Sequence, residues 1–141
     1  MSEILNINVR SFSYKRGIPK DSSDNGGGFV FDCRGILNPG RIQEFKTQTG
    51  RDKAVIDYLE SETKIAIFLE GAYTMVDLTV EDYLQRGFSN LEINFGCTGG
   101  QHRSVYSADA MAKHLREKFS QIQIQVKHVV QEEKNWVNEG Y

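Results

Sequence analysis

Between Leu91 and Val130 the chain runs strand, loop, helix, strand, and no other stretch narrows the fold as much. Leu91, Ile93 and Phe95 alternate with Glu92 and Asn94, the period of a strand. Val105, Ala108, Met111, Leu115 and Phe119 recur at three and four residues, the apolar face of a helix. Ile122, Ile124 and Val126 alternate with glutamines, a second strand. A strand, a crossover helix and a strand close as a right-handed parallel unit. Ligands of such sheets bind beyond the carboxyl ends of the strands. Here that place is held by Gly96-Cys97-Thr98-Gly99-Gly100-Gln101-His102-Arg103-Ser104.

The loop has the chemistry of a phosphate cradle. The helix after it begins near His102 or Arg103, and its first amides have no partners within the helix while its dipole favours an anion. Gly99 and Gly100 let the backbone approach a ligand closely. Thr98 and Ser104 offer hydroxyls, His102 faces the ligand, and Arg103 can hold a phosphate through two parallel hydrogen bonds. Cys97, followed six positions later by Arg103 and then Ser104, also has the spacing of cysteine-dependent phosphatases. Gly96 stands where those enzymes carry a histidine, and no aspartate motif supplies a general acid. Cys97 therefore reads as a small residue lining an anion pocket, and a nucleophile only under the phosphatase alternative. His102, His114 and His128 lack metal-ligand spacing, so neither metal nor cofactor is expected. His114 reads as a surface residue and Cys33 as core packing.

The rest of the chain supplies a sheet and its cover. Leu5, Ile7 and Val9 alternate with polar residues as a half-buried strand, and Phe29-Val30-Phe31 is a second. Lys15 to Gly28 is a turn-rich loop, and Asn38-Pro39-Gly40 is a turn. Asp52 is placed to cap a helix through Leu59. Ile65, Phe68, Leu69, Ala72, Met75, Val76, Val80 and Tyr83 mark a long amphipathic helix stopped by Gly87. The expected fold is α/β, one domain over 1–141 with a mixed or largely parallel sheet and helices packed on it. The core spans about 4–130, and 131–141 is a polar tail that is loose or a short helix.

Bulk properties exclude other classes. No apolar run approaches the about 20 residues of a membrane span. Met1-Ser2-Glu3-Ile4 lacks a basic region before an apolar stretch, so no secretory signal is expected. Two cysteines make no disulfide framework, which fits a reducing cytoplasm. The net charge of −2 argues against a dedicated nucleic-acid binder.

Five motifs in order carry a resemblance: Ser11-Phe12-Ser13-Tyr14-Lys15-Arg16-Gly17-Ile18-Pro19, Phe29-Val30-Phe31-Asp32-Cys33-Arg34, Asn38-Pro39, Thr49-Gly50-Arg51-Asp52 and Gly96 to Val105. The chain resembles the C-terminal domain of the RapZ family of RNase adapter proteins over most of residues 4–130. The chain contains no Gly-x-x-x-x-Gly-Lys-[Ser/Thr], so it resembles that domain standing alone, without the family's P-loop kinase-like domain. The resemblance implies a fold similar to a phosphofructokinase subdomain, binding of glucosamine 6-phosphate, self-association and help in binding regulatory RNA. It implies that Cys97 to Ser104 form the sugar-phosphate site, with Lys15, Asp32, Arg34, Asn38 and Arg51 lining the same pocket. Gly35-Ile36-Leu37 departs from the family's usual Phe-Leu-Pro. Glu132, Glu133 and Glu139 occupy a tail that is basic in RNA-binding members, which counts against RNA here.

The expected function is a regulatory module sensing a phosphorylated sugar, acting through a partner protein or a homo-oligomer and away from membranes. A cysteine phosphatase and an RNA-binding adapter are the alternatives that the sequence leaves open.

Overall fold

Alternation at Leu5, Ile7 and Val9 puts those three side chains on one face, and the neighbouring strands meet them row by row. The structure is a computed structural model that describes residues 4–21, 23 and 27–140. Strand β1 is Leu5–Ser13, β2 Gly28–Asp32, β3 Asn90–Cys97 and β4 Ile122–His128. They form one sheet in the order β2-β3-β1-β4, and every pairing is parallel. Ile7 lies between Leu91 and Ile124, and Val9 between Ile93 and Val126. A slip of one residue would turn all these side chains to the opposite face, so burial fixes the register.

Three helices cover that apolar face: α1 (Lys53–Glu62), α2 (Ile65–Arg86) and α3 (Arg103–Lys118). Val55 and Leu59 of α1, Val76 and Val80 of α2, and Met111 and Leu115 of α3 reach one buried cluster with the strands. Gly87 ends α2 in the left-handed conformation, φ 75°, and its amide donates to the Tyr83 carbonyl. On the opposite face Arg10 binds Glu92 at 3.2 Å and Asn94 at 2.9 Å. No helix among the described residues is long and apolar enough to cross a membrane.

The crossover from β3 through α3 to β4 is parallel as expected, with β1 lying between the two strands. Several expectations need correction. Strand β1 continues past its alternating stretch through Ser11, Phe12 and Ser13, all buried. Asp52 holds the N-cap position of α1 as expected and its carbonyl accepts from the Ile56 amide, but its carboxylate accepts from the Thr49 amide at 2.7 Å and makes no capping bond to the helix. Met75 is half exposed rather than core, and Phe119 lies just beyond α3. His114 is half-buried rather than free at the surface: it bonds Asp77 at 2.8 Å between α2 and α3 and stacks on Tyr73.

The tail begins as a short helix, α4 (Val129–Glu133), with Val130 and Gln131 buried. Gln131 exchanges two side-chain hydrogen bonds with Asn138, which anchors the segment. Of the turn-rich loop, Ser22 and Asp24 to Gly26 lie outside the described residues, as do Met1 to Glu3 and Tyr141.

Candidate anion-binding site

Strand β3 ends at Cys97 and α3 starts at Arg103, so the sheet delivers the loop to a helix N-terminus. Two glycines make the path possible. At Gly96 a Cβ would lie 2.4 Å from the Phe12 ring, which explains why the histidine of cysteine phosphatases has no room here. Gly100 has φ 65°, and a Cβ there would lie 2.7 Å from Val130.

The loop is pinned through its carbonyls and side chains. Ser13 Oγ donates to the Thr98 carbonyl at 2.5 Å, and the Tyr14 amide donates to the Cys97 carbonyl at 3.0 Å. Gln101 Nε2 donates to the carbonyls of Lys46 and Gln48 at 2.7 and 2.8 Å. The Gly50 amide donates to the Gln101 carbonyl at 3.0 Å. His102 Nε2 lies 2.8 Å from the Phe45 carbonyl, an acceptor only, so that nitrogen carries the proton. Burial holds the His102 pKa below its ordinary value against the pull of this hydrogen bond, which keeps the ring neutral. Among the described residues, the backbone amides from Thr98 to Arg103 donate to no protein group.

Arg103 is 4% exposed. Its Nη1 donates to the carbonyls of Arg34 and Ile36 at 3.2 and 2.7 Å. Its Nε is buried without a hydrogen-bond partner among the described residues. An unmet buried donor on a charged group is costly, and native structures rarely leave one without a reason.

Lys15, Asn38, Cys97, Thr98, Gly99, Gln101, His102 and Arg103 line one cavity of about 130 Å³. A second cavity of about 270 Å³ shares Asn38 and Arg103 and is also lined by Arg34, Leu37, Arg41 and Tyr58. The structure thus brings Lys15 and Asn38 to the loop, and Arg34 beside it. Other expected residues lie differently. Gly100 packs against Val130 and the Phe12–Ser13 backbone, and the Gln101 side chain serves the 46–48 turn. Ser104 is wholly buried, its Oγ 3.1 Å from Cys97 Sγ. Asp32 pairs with Arg34 at 2.7 Å, which lowers its pKa, and lines neither cavity. Arg51 is drawn away by two bonds to Asp109, at 2.8 and 3.1 Å, and covers the Trp136 ring.

A groove of about 670 Å³ crosses the opposite sheet face, but its Arg10 is already bound to Glu92 and Asn94. Ser13 and Tyr14 hold the loop although the sequence did not single them out, and both fall in a matched motif. Their signal is the end of the alternation in β1, where Ser11, Phe12 and Ser13 are buried in succession. Among the described residues no group of three His, Cys, Asp or Glu could hold a metal ion.

The RapZ C-terminal domain sequence model matches residues 5–132. A nucleotide-binding protein of Cereibacter sphaeroides is 43% identical over 113 residues, covering 80% of this chain and 36% of that protein. A nucleotide-binding protein of Endomicrobium trichonymphae is 36% identical, over 86% of this chain and 41% of its own length. One from Xylella fastidiosa is 40% identical, over 83% of this chain and 39% of its own length. The chain spans 36 to 41% of the length of these relatives.

Proposed function

The chain belongs to the RapZ C-terminal domain family, and from that premise we propose that it is a small-molecule-sensing module that holds a phosphorylated sugar in the 97–103 loop. The sugar is of the amino-sugar phosphate class, such as glucosamine 6-phosphate. The observation that carries this reading is Arg103, buried beside a cavity with Nε unpartnered among the described residues. A phosphate oxygen supplies the missing acceptor, and the amides from Thr98 to Arg103 bind the remaining oxygens. Lys15 adds a second positive charge at the cavity wall. The smaller cavity takes the phosphate, and the larger one beside it takes the ring. Together they reach the volume range of small-ligand sites, about 300–1,000 Å³.

Cys97 is a wall of this site and not its nucleophile. It is 3% exposed and bonded to Ser104, and Gly96 leaves no base before it. The module acts through a partner protein or its own assembly. The nucleotide in the relatives' name belongs to proteins more than twice this length. A ligand that occupies only the native state raises the melting temperature. Titration calorimetry and thermal shift with glucosamine 6-phosphate, glucose 6-phosphate, inorganic phosphate, glucosamine and a nucleoside triphosphate test the proposal. Binding of the sugar phosphates but not of free glucosamine is expected. Equal binding of glucosamine, or preference for the nucleotide, would overturn it.

A further inference from the structure

Two thiols lie at the carboxyl edge of the sheet, Cys97 at the end of β3 and Cys33 in the turn just after β2, and phosphate binding has no use for the second. Asp32 of β2 pairs with Gly96 of β3, the last pair of their register, and each cysteine follows one member of that pair, Cys97 still on β3 and Cys33 opening the turn after β2. Both belong to the buried cluster under the helices. Cys97 Sγ meets Ser104 Oγ at 3.1 Å, and Cys33 Sγ donates to Ser107 Oγ at 3.8 Å. Ser104 and Ser107 are three residues apart on α3, hence neighbours on one helix face. The residues before them, Asp32 and Gly96, sit on neighbouring strands, which lie about 4.8 Å apart, so the chain brings both thiols to one place in the core.

We propose that a hydroperoxide converts Cys33 and Cys97 into a reversible disulfide and that this bond closes the anion site. The first half stands on the placement of the two thiols beside the Asp32–Gly96 pair and under neighbouring serines of α3, whereas the second rests on the sugar-phosphate reading above.

Cys97 lines the smaller cavity and Cys33 does not, so the oxidant meets Cys97 first. The Cys97 sulfur, its proton lost, attacks one peroxide oxygen. A sulfur–oxygen bond forms, the oxygen–oxygen bond breaks, and the departing oxyanion takes up a proton as water or alcohol. The Cys33 sulfur then attacks the sulfenic sulfur of Cys97. A sulfur–sulfur bond forms, the sulfur–oxygen bond breaks, and the hydroxide leaves as water with the Cys33 proton. Two thiols are oxidised and one peroxide is reduced. Burial pushes the Cys33 thiol up to about 12, so it stays protonated and does not itself react with the peroxide, and its proton leaves with the hydroxide only as the two sulfurs join.

The bond reaches the site through two connections. Cys33 opens the short turn whose Arg34 carbonyl, with that of Ile36 just beyond it, holds Arg103. Cys97 precedes Thr98, the first of the loop's free amides. Drawing the two sulfurs together pulls Cys97 from Ser104 and shifts both the arginine clamp and the loop entrance.

The test treats the full reduced chain with hydrogen peroxide, maps its thiols by mass spectrometry, and titrates inorganic phosphate before treatment, after it, and after dithiothreitol. The expected result is a Cys33–Cys97 cross-linked peptide and phosphate affinity lowered at least about tenfold, or about 1.4 kcal/mol, both reversed by the reductant. Cys33→Val and Cys33→Ala should give no cross-link and leave a sulfenic acid at Cys97 that dimedone traps. Two alkylatable thiols after treatment would overturn the bond, and a bridged chain with unchanged phosphate affinity would overturn the closure. Mapping needs no ligand, so a reduced chain that binds no phosphate would sink the site reading and the closure, while presence or absence of the cross-linked peptide still decides the disulfide.

Discussion

In the proposed site Arg103 supplies a charged donor whose Nε is unpartnered among the described residues, and that sets a magnitude. A hydrogen bond to a charged group contributes about 1.5–3 kcal/mol. Arg103→Ala should weaken binding of glucosamine 6-phosphate by at least that much in titration calorimetry. Arg86→Ala should leave it unchanged, because Arg86 is exposed and pairs with Asp82 within α2. Cys97→Ser keeps a small polar wall, so its affinity should stay within about tenfold of wild type. Neither protein should release phosphate from sugar phosphates, and sustained release that the substitution abolishes would instead establish a phosphatase. His102 carries a pH signature. Its folded pKa lies below the ordinary 6.5, so the unfolded chain takes up the proton first as pH falls. Stability should therefore drop as pH falls through 6.5, and less steeply in His102→Gln. Equal slopes in denaturant titrations would contradict the neutral, buried ring. That Cys97, Thr98, His102 and Arg103 gather at one cavity was legible, because a strand–loop–helix seldom needs them all for packing. The pinning role of Gln101 was not legible, because its acceptors are carbonyls more than fifty residues away.

At the scale of elements, α3 and its loop hold the sheet together at its carboxyl edge. His128 at the end of β4 bridges Ser11 of β1 at 2.6 Å and Asp109 of α3 at 2.9 Å, and Asp109 also holds Arg51. Hydrogen bonds from His128 and Arg51 outweigh burial and lower the Asp109 pKa to about 2. The stabilisation from this depressed carboxyl is complete above 3.8 and is lost as pH falls from there towards about 2. Asp109→Asn should lose up to about 2 kcal/mol at neutral pH and show a weaker acid transition; an unchanged acid transition would remove Asp109 from this role. Gly100→Ala must place a Cβ at positive φ and against Val130, and should destabilise the fold by about 1–3 kcal/mol in denaturant unfolding. Periodicity disclosed β1, β4, α2 and α3 because each buries one face. It could not disclose the order of the strands, since nothing in a strand's own pattern names its neighbour. The Thr49-Gly50-Arg51-Asp52 motif shows the same limit. It serves the loop through Gly50, where a Cβ would lie 2.3 Å from the His102 carbonyl, while Arg51 turns to Asp109.

At the scale of the whole molecule, the sheet is asymmetric: helices cover one face, and the loop with its two cavities sits at one edge. The tail, expected as a loose polar stretch or a short helix, is packed: Trp136 meets both His128 and Arg51, and Val130 just before it supports Gly100. Its half-buried amide pair was hidden because Gln131 and Asn138 satisfy each other only in the folded chain. If the loop is built around a phosphate, a crystal structure with glucosamine 6-phosphate will show it in the difference density. Phosphate oxygens are expected about 2.7–3.2 Å from amides between Thr98 and Arg103 and from the Arg103 guanidinium. An empty loop whose amides turn to the protein's own carbonyls, with the ligand elsewhere or absent, would contradict the phosphate site.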